Sequence, residues 1–314
     1  MRKIITILLI FFLFSLIFAP ASDTFTNAAT KSHALNIARN AKGCSLQNPL
    51  IKIERAAAYY GEDENTIKML SNELELFILQ TRFLPKRIVN YASKKTLIAG
   101  YVSLLEFDGE KSDFVKYKLD SAVIGENTNW QTKIMDISNK NYRKYLLAQI
   151  QNVFDSGAQG VFLDTVDDVD DYPRLKNGTI SFINFLHEKY PEKFIIVNRG
   201  FTILDKIVND IQGILFEDFG TYYSFKDKCY KIFGKDDIDW ENKIAEKLEL
   251  YQSKGKIRVI ASGYANSPFS ILTLYSENMA KKYNFAFYCS NLEITEIWFK
   301  FFYPFPPIGG ALAE

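Results

Sequence analysis

The chain has 314 residues, 47% of them hydrophobic and 24% charged, with Lys+Arg 38 against Asp+Glu 37. A net charge of +1 supplies no basic field for nucleic acid, and the apolar fraction is ample for one large core. Three cysteines and two histidines fit neither a disulfide scaffold, nor a zinc site, nor a Ser-His-Asp triad.

Met1-Arg2-Lys3 is a basic cap on the apolar run from Ile4 to Phe18, followed by Ala19-Pro20-Ala21-Ser22. That order matches a secretory leader, with cleavage expected after Ala21. The run is shorter than the roughly 20 residues that span a bilayer, so a secreted or extracytoplasmic protein is expected. A membrane attachment would follow only from an uncleaved leader. Residues 22–53 are polar and small and read as a linker or N-terminal arm. Residues 54–314 read as a single domain.

From residue 54 the sequence alternates short apolar runs with helix-period segments. The runs are Ala56 to Tyr60, Leu74 to Gln80, Leu97 to Leu105 and Gly160 to Asp164, then Phe194 to Asn198, Gly213 to Glu217, Arg258 to Ala261 and Phe285 to Tyr288. Their length and flanking turn signals suit buried parallel strands. Helices are predicted over 141–154, ending at Gly157, over 179–190, ending before Pro191, and over 241–253, ending at Gly255. Eight strands separated by helices imply a (β/α)8 barrel, a TIM barrel, in preference to an open doubly wound sheet. No G-x-G-x-x-G turn follows the first strand, and no metal or cofactor is expected.

In such a barrel the residues that end the strands share one face, where active sites are built. Here they are Tyr60, Gln80, Glu106, Asp164, Asn198, Glu217, Tyr264 and Tyr288. Three carboxylates, amides and tyrosines, without Lys, His or Cys, suit glycoside hydrolysis. One carboxylic acid protonates the leaving oxygen, and a second carboxylate attacks the sugar or activates water.

The segments Gly100-Tyr101-Val102-Ser103 to Glu106, Gly160 to Asp167, Ile196 to Phe201 and Gly213 to Glu217 carry a family resemblance, as does Trp130 in the stretch before the fourth strand. Residues 54–290 resemble the TIM-barrel glycoside hydrolases of family 114, the endo-α-1,4-polygalactosaminidases. The resemblance implies Asp164 and Glu217 as the catalytic pair, with Asp164 as nucleophile or base and Glu217 as acid. It also implies an α-linked, galactosamine-type polysaccharide as the partner. Where the family pattern is Ser-x-Gly-Glu, this chain has Ser103-Leu104-Leu105-Glu106, which leaves the aim of Glu106 open.

The run Asp167-Asp168-Val169-Asp170-Asp171 lacks the spacing of a calcium loop. It reads as a solvated turn or, for a cationic sugar polymer, as a set of ammonium ligands that includes Asp167. Asp227 to Trp240 reads as a long loop beside the cleft. Tyr222, Tyr223 and the C-terminal aromatics Trp298, Phe301, Phe302 and Tyr303 are candidates for sugar stacking or for core. A Cys229–Cys289 bridge is left open. The rival readings are a carbohydrate-binding barrel without hydrolysis and a secreted solute-binding protein of two similar lobes.

Overall fold

The computed structural model describes residues 48–80 and 95–299. The leader, most of the polar arm and Phe301, Phe302 and Tyr303 lie outside the described residues. Eight strands run in chain order: β1 (Ala56–Tyr59), β2 (Leu76–Leu79), β3 (Leu97–Ser103), β4 (Gly160–Asp164), β5 (Phe194–Asn198), β6 (Gly213–Phe216), β7 (Arg258–Tyr264) and β8 (Ala286–Ser290). Each pairs in parallel with the next, from Ala56↔Leu76 to Ile260↔Ala286. β8 returns to contact β1, and the Tyr60 amide donates to the Ile294 carbonyl across that seam at 2.9 Å. This is the (β/α)8 barrel expected from the strand count, and it is neither an open sheet nor a two-lobed body.

The strands are buried along nearly their whole length, because helices cover the outside and side chains fill the inside. Gly160 lets β4 pass close to β5: a methyl there would lie 2.1 Å from the Phe194 ring. Two of the outer helices start where polar side chains cap them. Asp63 accepts from the Thr66 amide before Glu64–Glu73, and Asn139 accepts from the amides of Asn141 and Tyr142 before Lys140–Asp155. The latter helix ends at Gly157, whose φ of 99° is left-handed.

Several expectations need correction. The helix predicted over 179–190 occupies Lys176–Lys189, because Pro173 starts the turn that feeds it. Asp227 to Trp240 is no loop. Cys229–Ile232 pairs with Thr221–Ser224 as a hairpin, and a helix then runs over Lys235–Ser253, with Asp236 and Asp237 favouring its positive end. Only a four-residue helix, Leu204–Ile207, joins β5 to β6. A three-stranded antiparallel sheet, Glu106–Phe107, Val123–Asn127 and Thr132–Met135, is inserted between β3 and β4. Cys229 and Cys289 are both free thiols. Trp298 is buried against Ala265 and Cys289, so it is core.

Residues 48–53 also differ from a polar arm. Leu50 is fully buried and Ile53 nearly so. The Asn48 amide donates to the carbonyls of Gln212 and Lys256 at 2.8 and 2.9 Å, just before β6 and β7 begin. The segment thus stoppers the amino end of the barrel. Leu50→Ala is expected to lower stability by about 2–5 kcal/mol in denaturant unfolding, the usual cost of a buried Leu truncation. An unchanged midpoint would show that the segment is an appended arm.

Candidate active site at the carboxyl ends of the strands

Asp164 ends β4, Asn198 ends β5 and Glu217 directly follows β6. The next residue in each case, Thr165, Arg199 or Asp218, has a left-handed backbone, with φ of 61°, 52° and 59°. For residues with a β-carbon this costs about 1–2 kcal/mol each. It turns the chain off the strand at once and leaves the preceding side chain over the barrel mouth. At Thr165 the hydroxyl compensates: it donates to the Asp164 carbonyl at 2.7 Å and accepts from the Leu105 amide at 2.9 Å.

Asp164 Oδ1 accepts from the Thr165 amide and from Asn198 Nδ2, both at 2.8 Å. The same Asn198 nitrogen donates to Glu217 Oε2, and Tyr264 donates its hydroxyl to Glu217 Oε1. One amide therefore ties the two carboxylates together. Their nearest oxygens are at most two hydrogen-bond lengths apart, about 5–6 Å.

The cleft above them encloses about 480 Å³. The strand-end residues Tyr60, Gln80, Glu106, Asn198 and Tyr264 line it, and so does Asp167 of the acidic run. Tyr288 does not: it is 1% exposed and lies in the core. Glu106 does face the cleft despite the missing glycine, because its strand pairs with Ile134 of the inserted sheet. Its oxygens accept from Asn127 Nδ2 at 2.9 Å and from the Thr132 hydroxyl.

The acidic run is not a solvated turn. Asp168–Asp171 forms one helical turn on the buried Val169. Asp167 faces Arg199 Nε at 3.6 Å, Asp170 accepts from Thr202 at 2.5 Å, Asp171 is exposed, and Asp168 lines the cleft.

The sequence reading gave Arg199 and Asp218 no role, took Asp168 only as one of the acidic run, and used Trp130 only for resemblance. Arg199 Nη1 lies 3.9 Å from Asp218. Trp130 is half exposed and meets Phe225 edge-on at 5.5 Å, and Phe225 meets Tyr223 at 5.4 Å. These three rings line the cleft from two different insertions. Tyr222 instead stacks on Phe233. The signal that would have found Arg199 and Asp218 is their place directly after a strand-end polar residue.

The cleft is strongly acidic. Asp108, Asp167, Asp168, Asp218 and Glu293 line it with Glu106 and the central pair, and Arg199 is the single cation among the described residues that line it. Burial first, and then the charge of Glu217, push the Asp164 carboxyl up to about 7, against the pull of the Asn198 and Thr165 bonds. Burial and Glu217 push Asp218 likewise to about 7, with Arg199 opposing. Burial and then Glu106 raise Asp168 to about 8. No grouping of His, Cys, Asp and Glu among the described residues has a metal-binding arrangement.

Solved structures of similar shape are barrels of the same class. The glycoside hydrolase domain of PelA from Pseudomonas aeruginosa superposes with a TM-score of 0.69 at 20% identity, covering 78% of this chain and 97% of that one. Aspergillus fumigatus Ega3, in a complex with galactosamine, gives 0.60 at 17% identity, covering 79% and 95%. No curated protein matches the chain by sequence. The fold and the acid pair define a barrel glycoside hydrolase. Residues 86–288 match the model of glycoside-hydrolase family GH114, and the chain belongs to that family.

The Asp164 shift carries a stability consequence. An unfolded Asp titrates near about 3.9 and the folded one near about 7, so folding takes up a proton between those values. Stability from this group is therefore greatest at acid pH and falls as pH rises from about 4 to about 7. Asp164→Asn is expected to melt a few degrees higher than the parent at pH 8, with the advantage fading towards pH 4. Thermal unfolding at both pH values checks this. A variant that melts lower at each would show that Asp164 stabilises the barrel on balance.

Proposed function

We propose that this enzyme is a secreted, retaining glycosidase that cleaves α-linked galactosamine-type polysaccharide. The observation that carries the reading is the single Asn198 amide shared by Asp164 and Glu217. Retaining pairs stand about 5–5.5 Å apart, whereas inverting pairs need about 6.5–9.5 Å to admit a water. A pair tied through one nitrogen is too close for the second arrangement.

The hydrogen bonds divide the roles. Asp164 Oδ1 receives only N–H donors, which favour an anion. Glu217 faces the Tyr264 hydroxyl, which can donate to a carboxylate or accept from a carboxylic acid, so Glu217 can cycle between the two forms. Asp164 attacks the anomeric carbon as the glycosidic C–O bond breaks, and Glu217 gives its proton to the departing oxygen. Water then attacks the same carbon, Glu217 takes the water's proton, and Asp164 leaves. Two inversions restore the original configuration.

The substrate reading rests on charge. Eight carboxylates around one arginine suit a polymer of ammonium-bearing sugars, and exposed rings such as Trp130 suit the apolar faces of pyranoses. The GH114 membership and the galactosamine bound in Ega3 support the same class. A barrel that only binds sugar would have no use for two half-buried like charges held this close.

Asp164→Asn and Glu217→Gln are each expected to cut kcat on deacetylated α-1,4-galactosamine polymer by about 10³-fold or more, with the fold intact. Proton NMR of the first products should show the α-anomer. A β-anomer would overturn the retaining assignment, and turnover at the parent's rate by either variant would overturn the pair itself.

A pH profile gives an independent check. Asp164 must be ionised to attack, and its carboxyl is pushed up to about 7, so kcat/KM should rise about tenfold per unit of pH up to that point. A profile flat from about pH 4 to about pH 7 would contradict the raised Asp164 carboxyl.

A further inference from the structure

Glu217 stands on a bulge. Phe216 is the last residue of β6 to pair with β7, opposite Ala261, and the chain rejoins β7 where the Phe219 amide donates to the Ser262 carbonyl at 2.8 Å. Glu217 and Asp218 are therefore looped out against a single step of β7. A bulge of this kind re-aims a side chain, but it takes the backbone beyond it out of the ladder.

The groups so freed are held from outside the barrel. Ser276, on the helix Ile271–Lys282, donates its hydroxyl to the Phe219 carbonyl. A helical serine more often returns that proton to its own helix. Gly263 makes the approach possible, since a methyl there would lie 2.7 Å from Ser276 Cβ and 2.8 Å from Thr221 Oγ1. Glu241, on the helix Lys235–Ser253, accepts from the Gly220 amide at 3.0 Å. Thr221 Oγ1 accepts from the amide of Tyr264, the residue whose hydroxyl meets Glu217. Ser276 is fully buried, Glu241 is 2% exposed, and neither lines the cleft. Glutamates are rarely buried this far unless something pairs them. Burial pushes the Glu241 carboxyl up to about 8, so at neutral pH it accepts from Gly220 as a neutral acid.

Resting on the glycosidase reading above, we propose that Ser276 and Glu241 are positioning residues for the acid: they fix the bulge so that Glu217 meets the departing oxygen. Asp164 is held instead by Thr165 and Asn198, so the two helices govern proton delivery and leave the nucleophile alone.

The test compares kcat/KM of the full chain on two substrates, because that ratio reports only the steps up to cleavage of the glycosidic bond. Deacetylated α-1,4-galactosamine polymer has a leaving hydroxyl that must be protonated. An α-galactosaminyl oligomer ending in dinitrophenol has a leaving group that departs without a proton. Ser276→Ala and Glu241→Leu should each lower kcat/KM on the polymer by about 100-fold, the cost of a roughly 1 Å misplacement. On the dinitrophenyl oligomer the loss should stay below about threefold, because general acid catalysis contributes nothing there. Glu217→Gln should show the same split, and Glu241→Gln, which keeps an acceptor for Gly220, should recover most of what Glu241→Leu loses. Ser276→Ala removes a single oxygen, and its melting curve confirms the fold. Equal losses on both substrates in either variant, or no loss on the polymer, would overturn the inference and leave the glycosidase reading standing. Failure of the parent to cleave either substrate would overturn both.

Discussion

The site is organised around one unfavourable fact: two half-buried carboxylates stand side by side. Left alone, like charges at this distance in a low dielectric would separate or take up a proton. The Asn198 amide holds them together by donating to both, and Thr165 and Tyr264 add one donor to each end. The arrangement needs Asn198 on the strand between the two that bear the acids. Only consecutive parallel strands deliver three polar residues to one rim at that spacing. β4 and β5 end level, with Leu163 opposite Val197, and Glu217 stands two residues beyond the Leu215 that pairs with Asn198, so all three side chains reach the same rim.

The cost of that arrangement is spread over the surrounding structure. Three successive left-handed residues aim the strand-end side chains, and each is stabilised by its own contacts: Thr165 by hydroxyl bonds, Arg199 and Asp218 by their mutual ion pair. Behind them the buried Glu241 accepts from the Gly220 amide at 3.0 Å and pins the turn that follows Glu217. At the opposite end of the barrel, Leu50 and Asn48 close the base. Stability at the base and strain at the mouth are thus separated along the barrel axis, as the fold allows.

The cleft is shaped less by the barrel than by what is inserted into it. The sheet between β3 and β4 brings Glu106, Asn127, Trp130 and Thr132, and the hairpin after β6 brings Tyr223 and Phe225. Trp130 and Phe225 touch, so the two insertions meet beside the acid pair. A barrel with shorter connections would expose Asp164 and Glu217 in a shallow bowl. Here aromatic rings wall the cleft, and the charge on its walls acts at close range.

Much of this was legible along the chain. The eight apolar runs, the barrel they imply and the polar residues that end them follow from local periodicity, which is a property of the chain alone. So does the placement of Asp164, Asn198 and Glu217 on one rim, since parallel strands of similar length end together. Tertiary structure decided the rest. Tyr288 ends an apolar run like the others, yet the barrel's closure buries it. Leu50 sits in a polar stretch, and only the open base of the barrel makes it core. The four acids between 167 and 171 are alike in sequence, but the helical turn that follows Asp167 leaves Asp170 and Asp171 exposed and puts Asp167, beside Arg199, and Asp168 on the cleft wall. Periodicity records which face a residue occupies on its own element. It carries no record of what another element, distant in the chain, will bring against that face.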